Sequence, residues 1–205
     1  MNILTYIALA TTLLIGTTAK AQNMGERFTS FADFQLGTVK LSNIQDQLGA
    51  AEVIETGEAG EYIASVCYNT PHGVILFFAG ELDGSEHDLG GFGFAKKTER
   101  KPCGNWSATS TAPTLDIGGL RLGITLKEFT DIVDTSVRVE GDRAYAVFES
   151  KEIMTKEEIS HLSKEAQAMI KKGELQNYSD VLISVIAIFS EERLVELNVW
   201  KTETL

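Results

Sequence analysis

The stretch Leu122-Gly123-Ile124-Thr125-Leu126-Lys127-Glu128-Phe129-Thr130-Asp131-Ile132-Val133 decides the fold. Leu126, Phe129 and Val133 recur at i, i+3 and i+7, the spacing of a short amphipathic helix with one apolar face. Thr125 and Glu128 stand three apart at its start, as a capping box requires to satisfy two otherwise unpaired backbone N–H groups. The same plan occurs earlier, as Leu36-Gly37-Thr38-Val39-Lys40-Leu41-Ser42-Asn43-Ile44-Gln45-Asp46-Gln47-Leu48-Gly49. With one inserted residue allowed, Leu41, Ile44, Asp46 and Leu48 match Leu126, Phe129, Asp131 and Val133. Gly49 is placed to end the first helix.

A set of β-rich runs follows each helix. In the first half they cover 61–68, 74–78 and 91–96, with Asn69-Thr70-Pro71-His72-Gly73 as a turn by composition. In the second half they cover 143–149, 181–189 and 194–201. A fourth strand joins each set if 53–55 and 137–139 pair with their neighbours. The expected class is α+β: two tandem units, 22–103 and 114–205, each a short helix on an antiparallel meander. A Ser/Thr-rich link spans 104–113. The block 151–180 has no counterpart in the first unit, where a tight turn stands. Thr155 with Glu158, the apolar Ile159, Leu162, Met169 and Ile170, and a terminating Gly173 predict an inserted helix over 155–172. It is either an extra helix packed on the sheet or an insertion carrying a contact specific to the second unit.

Composition removes several classes of function. The 205 residues hold 18 Lys and Arg against 29 Asp and Glu, a net charge of −11, with 43% hydrophobic residues and 2 Cys. That is too apolar for a disordered chain and too poor in Cys for a disulfide scaffold. A pI near 4.8 argues against tracking nucleic-acid phosphates. Residues 3–16, ILTYIALATTLLIG, are uncharged but fall short of the roughly 20 needed to span a bilayer. They suit the apolar core of a signal peptide, with Ala19-Lys20-Ala21 as its cleavage site; the alternative is a short membrane anchor. The expectation is a signal over 1–21 and a mature protein that is periplasmic or secreted. In such an oxidising compartment Cys67 and Cys103 are expected to pair. The alternative, a nucleophilic thiolate, needs a free thiol and a nearby base.

One local pattern has a known counterpart. A strand ending in Gly, then Ile-Thr-x-x-Glu-Phe opening a short helix, stands here as Leu122 through Phe129. It resembles the opening of domains of the β-lactamase inhibitory protein type and of the small lipoprotein of the outer-membrane barrel-assembly machine. Ala112-Pro113-Thr114-Leu115, Phe189-Ser190-Glu191-Glu192-Arg193-Leu194 and Trp200 are similar to the second repeat of that inhibitory type. The first unit departs from the pattern, with Lys40-Leu41-Ser42-Asn43 where the capping box belongs. The resemblance implies tandem helix-on-sheet units that bind proteins through an open sheet face and have no catalytic site.

No catalytic signature is present: no G-x-S-x-G, no Walker loop, no H-E-x-x-H and no C-x-x-C. The chain is therefore expected not to be an enzyme, and no catalytic residue or cofactor is assigned. Gly91-Phe92-Gly93-Phe94 lies on a strand, where bare glycines admit close packing. The competing reading centres on Glu81-Leu82-Asp83-Gly84-Ser85-Glu86-His87-Asp88. Its carboxylates suit Ca²⁺, and His87 with carboxylates suits Zn²⁺, in a metal-binding domain or metal-dependent enzyme. Without a metal it is a solvated loop whose charges protect a sheet edge. His72 lies beside another turn, and His161 is expected to be exposed on the inserted helix.

Strand alternation marks a candidate binding surface. Val195, Leu197 and Val199 share one side of their strand, and Ala144, Ala146 and Phe148 one side of theirs. These sides should meet the helices. The opposite sides then present Trp200, Tyr145, Arg143 and Glu196 on an open face, a composition suited to binding a protein partner. The competing expectation covers Trp200 with the inserted helix or with Phe28, Phe31 and Phe34. A structural envelope component is the third class.

Overall fold

The computed structural model describes residues 24–58, 60–83, 86–98, 102–107 and 111–204. The expected leader, over 1–21, lies outside the described residues. A 3-10 turn at Glu26–Phe28 opens the described chain. Then follow β1 (Ser30–Phe31), β2 (Phe34–Gln35), α1 (Leu41–Leu48), β3 (Ile54–Thr56), β4 (Ile63–Thr70), β5 (Gly73–Gly80), β6 (Gly91–Ala95) and β7 (Gly104–Asn105). The second half holds β8 (Asp116–Ile117), β9 (Leu120–Arg121), α2 (Leu126–Val133), β10 (Val137–Glu140), β11 (Arg143–Ile153), α3 (Lys156–His161), α4 (Lys164–Lys172), β12 (Tyr178–Ser190) and β13 (Arg193–Thr204).

The fold is α+β, and the two units share one sheet. Its order is β10-β11-β12-β13-β6-β5-β4-β3, with β7 added parallel to β4. Each unit supplies four antiparallel strands, so the short runs near 54 and 137 do pair. The units meet where β6 and β13 run antiparallel, Phe94 opposite Leu197 and Phe92 opposite Val199. The repeat extends to hydrogen bonds. The Gly37 amide donates to Leu89 O at 2.8 Å, and the Gly123 amide to Leu194 O at 2.8 Å. In return the Leu89 amide donates to Val39 O and the Leu194 amide to Ile124 O. Each bond pair ties the entry of a helix to its own unit's fourth strand, at Leu194 within β13 and at Leu89 two residues before β6.

The two helices begin differently. The Thr125 hydroxyl accepts from the Glu128 amide at 3.2 Å, and the Glu128 carboxylate accepts from the Thr125 amide at 2.7 Å. At α1 only half of that arrangement forms: Asn43 Oδ1 accepts from the Lys40 amide at 3.1 Å. Lysine carries no acceptor to return the bond. Gly49, at φ 103°, ends α1.

The core lies between the helix-side face of the sheet and a second layer. Ile44, Leu48, Phe129 and Val133 come from the helices, and Ala64, Tyr68, Phe77, Phe92, Phe94, Ala144, Val185 and Leu197 from the sheet. The N-terminal segment adds three buried phenylalanines to the same core. Phe31 packs 5.8 Å from Phe92, Phe34 5.2 Å from Phe77, and Phe28 5.4 Å from Phe148, measured between ring centres. Phe28, Phe31 and Phe34 therefore sit on the opposite side of the sheet from Trp200.

Two expectations are corrected. The inserted helix over 155–172 is two helices, α3 and α4, broken at Leu162-Ser163, where the Ser163 hydroxyl caps the Ala166 amide at 3.1 Å. Serine at an N-cap competes with helix continuation, which starts α4 anew. No residue of α4 is buried, so it does not pack as a core helix. The side chains of Glu158 and His161 lie outside the described residues. The start of the 104–113 link is also part of the sheet, because β7 pairs with Tyr68 and Asn69 of β4. Among the described residues no helix is long and apolar enough to cross a membrane.

Candidate functional site

Registry across the sheet arranges the face opposite the helices in transverse rows. One row runs Arg138, Tyr145, Ile186, Asn198, Gly93, Leu76, Cys67. On one side of it lies Arg143, Ile188, Glu196, Ala95, Val74. On the other side lies Val147, Ser184, Trp200, Gly91, Phe78, Ser65. The four residues read from alternation, Trp200, Tyr145, Arg143 and Glu196, thus share this face.

The two halves of the face differ. In the first unit Cys67, Val74, Leu76, Phe78 and Ala95 are buried and form a small second core. Packed against it are Cys103, joined to Cys67 by a disulfide, Ile63 and Trp200. In the second unit no such cluster is buried on this face among the described residues. Tyr145, Ile186 and Ile188 are half-buried, while Val147 at 43% and Leu182 at 38% are exposed.

Trp200 stands at the boundary. Its ring lies 5.1 Å from that of Phe78, nearly parallel at 20°, and directly over Gly91. The N-terminal phenylalanines lie on the other side of the sheet, and the ring is half-buried against the first unit's own strands. Beside it Asn198 donates to Glu196 Oε1 at 2.8 Å, and its own Oδ1 is buried with no donor among the described residues. The bare Gly93 makes room for that carboxamide, since a Cβ there would stand 2.4 Å from Oδ1.

Sequence alternation missed three contributors. The cation over the Tyr145 ring is Arg138, 4.9 Å from its centre, and not Arg143. The register that pairs β10 with β11 makes this contact, and single-strand alternation does not contain it. Ile186 and Ile188 were hidden for a different reason. β12 is apolar on both sides, so its pattern alone does not say which residues look outward.

The acidic loop spends its side chains on separate local partners. Lys40 pairs with Glu86, the Gly60 amide donates to the Glu81 carboxylate, and the Gly80 amide donates to Asp83. His87 Nε2 meets the Tyr62 hydroxyl at 2.9 Å, the two rings stacked. Burial raises the Asp83 carboxyl above its ordinary range; the Gly80 hydrogen bond opposes this and Asp88 adds to it. Gly84 and Ser85 lie outside the described residues. Among the described residues no group of three or more His, Cys, Asp or Glu is placed to hold a metal ion. Separately, a cleft of about 700 Å³ lies between the Pro71-His72 turn and Pro102-Cys103, with exposed Lys96 and Lys97 at its rim.

These features define an α+β protein of two helix-on-sheet units sharing one antiparallel sheet, with one half of its open face covered and the other bare. No family model, curated protein or solved structure matches the chain.

Proposed function

We propose that the chain is an exported, non-enzymatic protein-binding module acting in the periplasm or outside the cell, as an inhibitor or an envelope accessory protein. One observation carries this reading. The second unit leaves Val147 and Leu182 exposed and Tyr145, Ile186 and Ile188 only half-buried beside Arg138, Arg143 and Glu196, where the first unit buries the equivalent face. Aromatic and aliphatic groups ringed by Arg and carboxylates have the composition of a protein-binding hot spot. The resemblance to tandem inhibitory domains points the same way. Export is supported by the apolar leader with its A-x-A site and by the disulfide. A net charge of −11 favours a basic partner and an association that weakens with salt.

The test is crosslinking and pull-down from envelope and secreted fractions, followed by affinity measurement with the captured protein. Tyr145→Ala and Trp200→Ala should each weaken binding about 30-fold or more if they are anchors. Tyr145→Ala is the decisive variant, because Trp200 also supports the first unit. Unchanged affinity in both, with unchanged melting, overturns the assignment of this face.

A further inference from the structure

The sheet has one long free edge. β10 pairs only with the first part of β11, Val137 opposite Ala146 through Glu140 opposite Arg143. Beyond Ala146, β11 continues to Ile153 with β12 on one side, and among the described residues no strand pairs with its other side. This leaves the backbone of Val147-Phe148-Glu149-Ser150-Lys151-Glu152-Ile153 as a template for another strand. The exposed residues there include Val147 at 43% and Ile153 at 77%, both on the open face.

We propose that this edge pairs with the same edge of a second copy of the chain, antiparallel about Ser150. The argument is the self-complementarity of the segment. Reversal about Ser150 sets Val147 opposite Ile153, Glu149 opposite Lys151 and Phe148 opposite Glu152. The two most exposed apolar side chains of the strand then cover one another, and the edge charges attract. Directly opposed residues in an antiparallel pair share a face, so their charges meet at close range. Every neighbouring choice is penalised. A two-fold centred on Glu149 sets Glu against Glu, one centred on Lys151 sets Lys against Lys, and parallel in-register pairing does both. Lysines on an edge normally keep strands apart; here their order along the strand selects one partner geometry.

The structure leaves these charges available. Glu149 has no ion-pair partner among the described residues, and Lys151 is held on the open face by Asp180 at 3.0 Å and by the Tyr178 ring at 4.1 Å. The partner's Glu149 then joins an ammonium that is already oriented. The resulting interface is isologous, with its axis perpendicular to the sheet. It joins the bare faces of two copies into one surface, and it does not depend on what that surface binds.

Sedimentation equilibrium of the purified protein tests this. A concentration-dependent dimer is expected. Glu149→Lys and Lys151→Glu should each raise the dimer dissociation constant about tenfold, because each turns two symmetry-related attractions into repulsions. The double variant Glu149→Lys/Lys151→Glu should recover most of that loss. Glu149→Lys removes no ion pair among the described residues, so its effect is read at the interface, and thermal melts verify folding. A monomer at every concentration, a dimer indifferent to the single reversals, or a double variant no better than the singles overturns the proposal.

Discussion

The indole of Trp200 lies flat on Gly91. A Cβ built on Gly91 would stand 2.8 Å from Cδ2 and Cε3 of the ring, which also stacks on Phe78. The glycine is therefore the seat of the tryptophan, and adding a single methyl must displace it. Overpacking of this kind costs about 1–3 kcal/mol. Gly91→Ala is expected to lower the urea midpoint accordingly. In a Trp106→Phe background it should also shift the Trp200 emission to the red, since the ring leaves its apolar seat. An unchanged emission maximum would show that the indole does not rest there.

The Cys67–Cys103 bridge holds Cys103 against the small core of Val74, Leu76 and Phe78, where Ile63 and Trp200 are the other partly buried apolar side chains packed on it among the described residues. With a sequence separation of 36, chain-entropy arguments assign the crosslink roughly 3–4 kcal/mol. Cys103→Ala with Cys67→Ala, or reduction, should lower stability by about that amount. The loss should come with increased binding of a hydrophobic dye, because the small second core opens. Equal urea midpoints with and without reductant would contradict this.

The repeat was legible because its signals are local. The capping box at Thr125 and Glu128, the i, i+3, i+7 apolar spacing and the alternation in β11 and β13 each involve residues within one element. What stayed hidden depends on contacts between elements. Phe28, Phe31 and Phe34 belong to no long helix or strand whose period would mark them as core residues packed on the sheet. Sequence placed Arg143 beside Tyr145, whereas registry places Arg138 over the ring. The break between α3 and α4 was missed because the apolar positions on either side of Ser163 continue one pattern, while the serine side chain is what restarts the helix. The merging of two meanders into one sheet is likewise a pairing of β6 with β13, about a hundred residues apart in the chain.

Tyr68 offers a test of the core by pH. Its side chain is fully buried, its hydroxyl donates to Gly49 O at 2.8 Å, and burial pushes its phenol up from 10.0 to about 12. A folded-state value above the unfolded one means that the neutral phenol is favoured by folding. Its contribution is complete below the unfolded value and is lost as pH rises through the folded one. Stability should therefore fall between pH 10 and about 12. Tyr68→Phe should remove the Tyr68 part of that slope while costing about 1 kcal/mol at neutral pH for the lost hydrogen bond. An alkaline profile identical in the variant would place the titration elsewhere.

The turn between β12 and β13 makes a prediction of opposite sign. Glu191 and Glu192 join Ser190 to Arg193 with φ of 50° and 61°, both left-handed. Such two-residue hairpins favour Asn-Gly, because a Cβ in this region crowds the backbone. Two adjacent carboxylates at the tip add mutual repulsion. Glu192→Gly is expected to stabilise the protein by about 1 kcal/mol, read as a higher urea midpoint. Glu192→Gln separates the two causes, since it removes the charge and keeps the Cβ. If backbone strain dominates, Gln gains little and Gly gains most of the effect; if repulsion dominates, the two variants rise together. A lower midpoint for Glu192→Gly would mean that the carboxylate, and not the backbone, is what this turn needs.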